Sequence, residues 1–239
     1  MKDITVYQVR CLVTLKQDIE LVDLAETFSK ILDERICLKL GNEYHSSKDF
    51  KEYCFDNFYK IEKDKVYKAG KNYIIRIRTI REDLCKIFIM MEDFENDLLK
   101  INKTEFKTVP RTIIDKLYTL TPALLKEENG YWKFKYNFNF YKEALITNTI
   151  KKFKNFTECN LPKEKIADFF EGIEFKNTKG IRIIYKKANF FGDKFEITIK
   201  KDEISQKIAY MLLGVGILQN NSRGYGFCQP TNINVRKQV

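Results

Sequence analysis

Histidine is nearly absent from this sequence, since His45 is the only one among 239 residues. The six cysteines are spread along the chain, and no two of them have the Cys-x-x-Cys spacing. Structural zinc sites draw their ligands from clustered cysteine and histidine residues. The composition therefore disfavours a zinc site, and we expect neither a metal nor a cofactor. Scattered cysteines are also typical of reduced, buried thiols in the cytoplasm.

Long hydrophobic runs are missing as well. The longest nearly apolar stretch, 209–218, has ten residues, which is too short to span a bilayer. Near the N-terminus Arg10 interrupts the one apolar segment, so no signal-peptide core is formed. These absences predict a cytoplasmic protein without a membrane segment.

Positive charge is abundant. Lysine and arginine number 43 against 33 acidic residues, which gives a net charge of +10 and a pI near 9.1. Such a balance indicates nucleic acid as the first candidate partner, ahead of acidic membrane surfaces or acidic proteins. The alternative is the general lysine richness of proteins from AT-rich genomes.

The hydrophobic pattern predicts the same order of elements twice. In the first half, strand patterns at 4–15, 50–59 and 72–80 alternate with helix patterns at 21–36 and 81–99. In the second half, strand patterns at 111–126, 131–140, 172–177, 180–187, 194–201 and after 224 accompany helix patterns at 141–153 and 203–216. A repeated β-α-β-β-α-β order predicts an α+β protein of tandem ferredoxin-like domains. We place the domains at 1–108 and 109–239.

The stretch Gly214–Gln229, "GVGILQNNSRGYGFCQ", holds four of the ten glycines. It follows a helix and precedes a strand, which is the reverse of the dinucleotide-binding order, and the Gly-Lys pair of a phosphate-binding loop is missing. A helix C-cap explains one glycine only. The polar residues between the glycine doublets, with exposed backbone amides and the guanidinium of Arg223, suit a polyanion that passes close to the main chain.

This stretch is similar to the C-terminal glycine-rich loop of the RAMP superfamily of CRISPR RNA-binding proteins, and in particular of the repeat-RNA processing endoribonucleases. The family pattern is Gly-apolar-Gly, a polar and basic segment, then Gly-apolar-Gly; here Leu218 stands in place of the second glycine. Segments 44–80, 117–126 and 193–216 also resemble family blocks, so the resemblance covers most of the chain. It implies an RNA-binding loop made of Gly216, Gln219, Asn220, Asn221, Ser222, Arg223, Gly224 and Gly226.

The same resemblance places a catalytic histidine in the loop after the first helix, with a lysine about six residues later. His45 and Lys51 match this spacing, and Lys48 is a second candidate cation. Metal-free RNA cleavage needs a base, a cation for the charged phosphorane and an acid, and histidine titrates in the useful range. The family's tyrosine near the end of the first helix has no counterpart here, so Tyr44 or Lys30 would take that role, or the role is absent.

Three further patterns have two interpretations each. Arg76 and Arg78 lie on one strand face and predict either RNA contacts or salt bridges with acidic side chains. Alternating aromatics in 131–140 could stack on bases, but their period of two favours a strand that faces the core. Lys142, Lys151, Lys152 and Lys154 could contact phosphates, although a solvated helix face is the simpler interpretation.

The sequence thus predicts a metal-independent endoribonuclease. It would cut CRISPR repeat RNA in the precursor transcript and leave a 2′,3′-cyclic phosphate and a 5′-hydroxyl. The alternative is a non-catalytic RAMP subunit that binds guide RNA beside other Cas effector subunits, and such a subunit has no use for His45. We expect a monomer or a homodimer.

Overall fold

A computed structural model describes residues 2–47, 49–128, 130–186 and 188–232, without the side chains of His45 and Asn232. Lys48 therefore lies outside the described residues, as does the side chain of His45. All six cysteines lie within the described ranges, and all are free thiols.

The first half of the chain forms an antiparallel four-stranded sheet in the order β3-β5-β1-β6. Two helices connect its strands, α1 between β1 and β3 and α3 between β5 and β6, which is the ferredoxin-like arrangement. We call this the first unit. Its elements are β1 (Tyr7–Leu15), β2 (Ile19–Glu20), α1 (Leu21–Leu40), α2 (Asn42–Ser46), β3 (Tyr53–Phe55), β4 (Val66–Tyr67), β5 (Asn72–Thr79), α3 (Glu82–Ile89) and β6 (Leu99–Thr108).

The second half repeats this arrangement, with a sheet in the order β13-β7-β12-β9 and helices α4 and α6 as connections. This half also contains a small three-stranded sheet in the order β10-β11-β8. In the sequence, β8 follows β7, whereas β10 and β11 lie between β9 and β12. We call this the second unit. Its elements are β7 (Ile114–Thr119), β8 (Ala123–Leu124), α4 (Phe138–Thr157), α5 (Lys163–Ala167), β9 (Phe170–Phe175), β10 (Ile181–Tyr185), β11 (Ala188–Asp193), β12 (Phe195–Ile199), α6 (Glu203–Val215) and β13 (Cys228–Asn232).

The alternation of side chains along the strands explains how each sheet packs on its helices. In β1, Val9, Cys11 and Val13 are fully buried and face the helices, whereas Arg10 points to the other face and is exposed. The duplicated topology that the sequence predicts is thus present. The proposed boundary at 108/109 falls in the connection between β6 and β7.

Helix α6 joins the two units because it is buried on nearly all sides. It contacts β7 and β12 of its own unit and β3 and β5 of the first. A Cβ atom on Gly214 would lie 2.6 Å from the side chain of Ile80, so only glycine lets the helix approach this closely. Gly214 is therefore an interface residue, which the sequence pattern did not reveal.

Several predicted elements are shorter than their patterns or different from them. The predicted helix 81–99 ends at Ile89, and β3 covers only three residues of the predicted strand 50–59. The predicted strand 131–140 is wrong, since this segment holds a 3₁₀ helix, Trp132–Phe134, and the start of α4. The cause is Asp193, which is buried and accepts hydrogen bonds from the Tyr131 hydroxyl at 2.6 Å and the Trp132 indole at 2.7 Å.

None of the helices in the described ranges is long and apolar enough to cross a membrane.

Candidate active site and RNA-binding surface

The helix that carries His45 is short and tightly attached. Gly41, with a φ of +79°, turns the chain sharply between α1 and α2. The Tyr44 hydroxyl donates a hydrogen bond to Glu52 at 2.9 Å, and the Arg81 guanidinium lies 5.3 Å from the centre of the Tyr44 ring. Helix α2 is therefore fixed against the start of β3 and the beginning of α3.

Lys51 attaches the other end of α2. Its ammonium donates hydrogen bonds to the backbone carbonyls of Tyr44 and Ser47, the second at 3.1 Å, and lies 4.6 Å from the centre of the Tyr44 ring. A cation at the C-terminal end of a helix is favourable because the free carbonyls there carry partial negative charge. Burial lowers the pKa of Lys51, against the raising effect of nearby carboxylates such as Glu52. In this structure Lys51 thus holds the helix of His45 in place.

Tyr44 has the wrong ionisation for a general base. Burial raises the pKa of Tyr44 far above its usual value, and the charge of Glu52 raises it further. The hydroxyl therefore keeps its proton at neutral pH and serves as a donor to Glu52. Tyr44 thus helps to position α2, to which it belongs, and a catalytic role for its protonated hydroxyl stays a prediction.

The glycine-rich loop folds onto itself and onto the protein. Gly216, Gly224 and Gly226 have positive φ, and a Cβ atom on Gly226 would lie 2.0 Å from the carbonyl oxygen of Ile217. The backbone amides of Gly216, Gly224 and Gly226 donate to the carbonyls of Leu212, Asn221 and Pro122, at 2.8, 3.0 and 2.9 Å. The expectation that these amides are exposed to a polyanion is therefore wrong. The glycines allow a tight loop instead.

The part of the loop that reaches the surface is polar. Gln219, Asn220, Ser222 and Arg223 are partly exposed, whereas Asn221 is buried. The Gln219 side chain accepts a hydrogen bond from the Lys126 amide at 2.9 Å.

The loop meets the first unit at β3. Its 3₁₀ helix, Asn221–Arg223, packs on this strand, and Arg223 forms an ion pair with Asp33 of α1. The Tyr53 hydroxyl also donates to Asp33, at 3.4 Å. Since β3 begins two residues after Lys51, the His45 helix and the glycine-rich loop lie on neighbouring parts of one surface.

The two strand arginines are placed differently from each other. Arg78 is buried, with 4% exposure, and donates to Gln8 and to the backbone carbonyl of Cys228, so its guanidinium is not presented to a ligand. Arg76 donates to Asp56 at 2.6 Å, as in the salt-bridge interpretation. It also lines an open cleft of about 480 Å³ together with Arg10 and Lys107, so contact with RNA stays a prediction for this residue.

A basic groove borders the segment that follows the His45 helix. We call it the lysine groove: Lys151, Lys154 and Lys163 of the second unit line a depression of about 420 Å³ opposite Asp49 and Phe50. Within the described ranges, none of the three lysines has a carboxylate partner within 4.0 Å. The sequence pattern had suggested Lys151 and Lys154 but missed Lys163, whose approach to the groove depends on the turn between α4 and α5.

Known structures match this arrangement over nearly the whole chain. A Cas6-related protein of Pyrococcus furiosus is 15% identical and has a TM-score of 0.67, over 95% of this chain and 98% of its own. The chain has the Cas6 fold. A RAMP protein that binds different RNA substrates has a TM-score of 0.68 at 15% identity, over 95% of this chain and 100% of its own.

A Cas6 solved as a product complex has a TM-score of 0.62 at 11% identity, over 95% of this chain and 100% of its own. These neighbours confirm the predicted tandem ferredoxin-like fold and the similarity to CRISPR-associated RAMP proteins. No model of a protein family and no curated protein matches the sequence.

Proposed function

We propose that this protein is an endoribonuclease that binds CRISPR repeat RNA and cuts it without a metal ion. The observation that carries the proposal is that three features lie at β3 or in the segment just before it. The helix of His45 and its anchor Lys51 precede the strand, the glycine-rich loop packs on the strand, and the lysine groove borders Asp49 and Phe50. The shared fold with a Cas6 product complex and with an RNA-binding RAMP protein supports the same conclusion.

In the proposed reaction the 2′-oxygen of one nucleotide attacks the adjacent phosphorus. His45 takes the proton of the 2′-hydroxyl, or supplies the proton that the departing 5′-oxygen needs. The new bond closes a 2′,3′-cyclic phosphate while the bond between phosphorus and the 5′-oxygen breaks. Lys51 places a positive charge next to the helix of His45, where it stabilises the dianionic phosphorane.

The RNA backbone would lie in the lysine groove. Lys151, Lys154 and Lys163 supply positive charge for phosphates, and the groove borders the segment that follows the His45 helix. The polar surface of the loop, from Gln219 to Arg223, would contact the RNA on the other side of that helix. Arg78 is not part of this surface because it is buried.

A non-catalytic RNA-binding subunit is the second candidate. It is favoured by the similarity to a RAMP protein that binds different RNA substrates, which is as close as the similarity to Cas6 proteins. The two functions share the groove and the loop and differ in the use of His45.

A single-turnover cleavage assay on repeat RNA in EDTA separates them. We expect the wild type to cut, and His45→Ala to be slower by about 10²- to 10⁴-fold with affinity changed by less than about tenfold. Ser46→Ala is the matched control because the Ser46 hydroxyl donates to the carbonyls of Asn42 and Glu43 within α2. Tight binding without cutting by the wild type supports the binding subunit, and cutting that requires added Mg²⁺ contradicts the metal-free mechanism.

A further inference from the structure

Lys152 of α4 does not line the lysine groove, and its side chain turns to the interior instead. Lys152 is 1% exposed, although its neighbour Lys151 is exposed and Lys154 is half-buried. Burying an ammonium group is costly unless hydrogen bonds replace its hydration. The contacts of this group therefore show what the buried charge is used for.

All three contacts of the Lys152 ammonium go to the glycine-rich loop. It donates to the backbone carbonyls of Gly216 and Leu218 at 2.9 and 2.7 Å, and to the side-chain oxygen of Asn221 at 2.6 Å. An ammonium group has three N–H donors, so this set is complete.

Asn221 extends the same network through its amide nitrogen, which donates to the carbonyls of Ile217 and Tyr225 at 2.9 and 2.8 Å. Lys152 and Asn221 together therefore engage four backbone carbonyls between Gly216 and Tyr225. Gly216 and Leu218 have positive φ, and their carbonyls accept the two backbone hydrogen bonds of the Lys152 ammonium. The loop is thus closed around a single cation.

Among the residues that the structure describes, no carboxylate pairs with the Lys152 ammonium. The titratable groups that face it are the thiols of Cys54 on β3 and Cys228 on β13, and burial raises the pKa of both, for Cys228 to about 12. The ring of Phe50, which also lines the lysine groove, lies 5.6 Å from the ammonium. Burial lowers the pKa of Lys152 to about 7.

We propose that Lys152 is a positioning residue that holds the glycine-rich loop in its RNA-binding conformation. Without this side chain, the carbonyls of Gly216 and Leu218 and the Asn221 oxygen lose a buried donor. The part of the proposal that concerns RNA rests on the proposed function, whereas the part that concerns the loop does not.

Hydrogen exchange tests the loop in the absence of RNA. In Lys152→Met, the protection factors of the Ile217, Gln219 and Gly226 amides should fall by about tenfold or more, because buried acceptors lose their donor. The amides of β1 should be unchanged, and Lys151→Met is the matched control. Because burial lowers the pKa of Lys152 to about 7, the closed loop binds this proton less tightly than the open loop does. In the wild type the protection of the loop should therefore rise as the pH rises above about 7, and in Lys152→Met this dependence should vanish.

RNA binding provides the second measurement. Lys152→Met should weaken binding without changing the slope of affinity against salt, since a buried lysine releases no counterions, whereas Lys151→Met should reduce the slope by about one phosphate. Unchanged loop protection in Lys152→Met, or a pH dependence that persists in it, overturns the proposal even if the protein binds RNA.

A wild type that binds no repeat RNA overturns the proposed function instead, and the exchange result still decides the role of Lys152 in the loop. If Lys152→Met does not fold, Asn221→Ser removes one acceptor of the same ammonium together with the amide that donates to Ile217 and Tyr225. It should give the same loop-restricted loss of protection, and a wild-type exchange pattern in this variant contradicts the proposal.

Discussion

Arg223 and Asp33 form an ion pair across 190 positions of sequence, between the glycine-rich loop and helix α1. Both side chains are largely buried, with 24% and 20% exposure. The sequence had suggested Arg223 only as a contact for the RNA. In the structure the same guanidinium joins the two units, so its removal should have a structural cost.

We expect Arg223→Ala to lower the free energy of unfolding by about 1 to 3 kcal/mol, because it leaves the Asp33 carboxylate without this partner in a mostly buried place. Urea denaturation measures the change. The matched control is Arg182→Ala, since Arg182 is exposed and donates to Asn189 of the neighbouring strand, within the second unit. Equal stability of the wild type and Arg223→Ala would mean that the pair contributes nothing between the units.

Lys51 should matter for rate more than for RNA affinity. Lys51→Met removes both the positive charge beside His45 and the hydrogen bonds that hold the end of α2, so single-turnover cleavage should slow by about 10²-fold or more. Tyr44→Phe serves as the comparison, because it keeps the ring and loses only the hydroxyl. Its cleavage rate should stay within about tenfold of the wild type; a loss as large as that of His45→Ala would restore Tyr44 as a catalytic group.

The lysine groove predicts a specific dependence on salt. Lys151→Gln, Lys154→Gln and Lys163→Gln should each reduce the slope of log affinity against log salt by about 0.7 to 0.9. Filter-binding titrations at several salt concentrations measure it. Lys142→Gln is the control on the same helix, since Lys142 lies 5.8 Å from the ring of Phe170, away from the groove. Equal slopes for all four variants would remove the groove from the RNA-binding surface.

The duplicated fold could be predicted because its strands and helices have clear hydrophobic periods. The β1 pattern alternates and the α1 pattern repeats every three to four residues, and local patterns of this kind are visible without tertiary information. The order of such elements in each half then determines the ferredoxin-like topology. The site around His45 was predicted in another way, from the family resemblance and the spacing from His45 to Lys51, and it stays a prediction.

Features that depend on distant partners could not be predicted. Segment 131–140 alternates like a strand, yet Asp193, which follows it by some sixty residues, anchors Trp132 in a 3₁₀ helix. Lys152 looks like one more lysine of a solvated helix face until the loop closes over it. In both cases a single buried polar group decides the local structure, and its partner lies in another part of the fold.

Asp33 and Arg223 are also synthesised at different times, because they lie 190 positions apart in the sequence. A ribosome that adds about 5 to 20 residues per second completes Asp33 about 10 to 40 seconds before Arg223. During that interval the nascent chain already contains His45 and Lys51, but the loop that packs against β3 has not yet been made. A partly synthesised chain therefore cannot present the complete surface, and transcripts near the ribosome meet it only after the second unit has been translated.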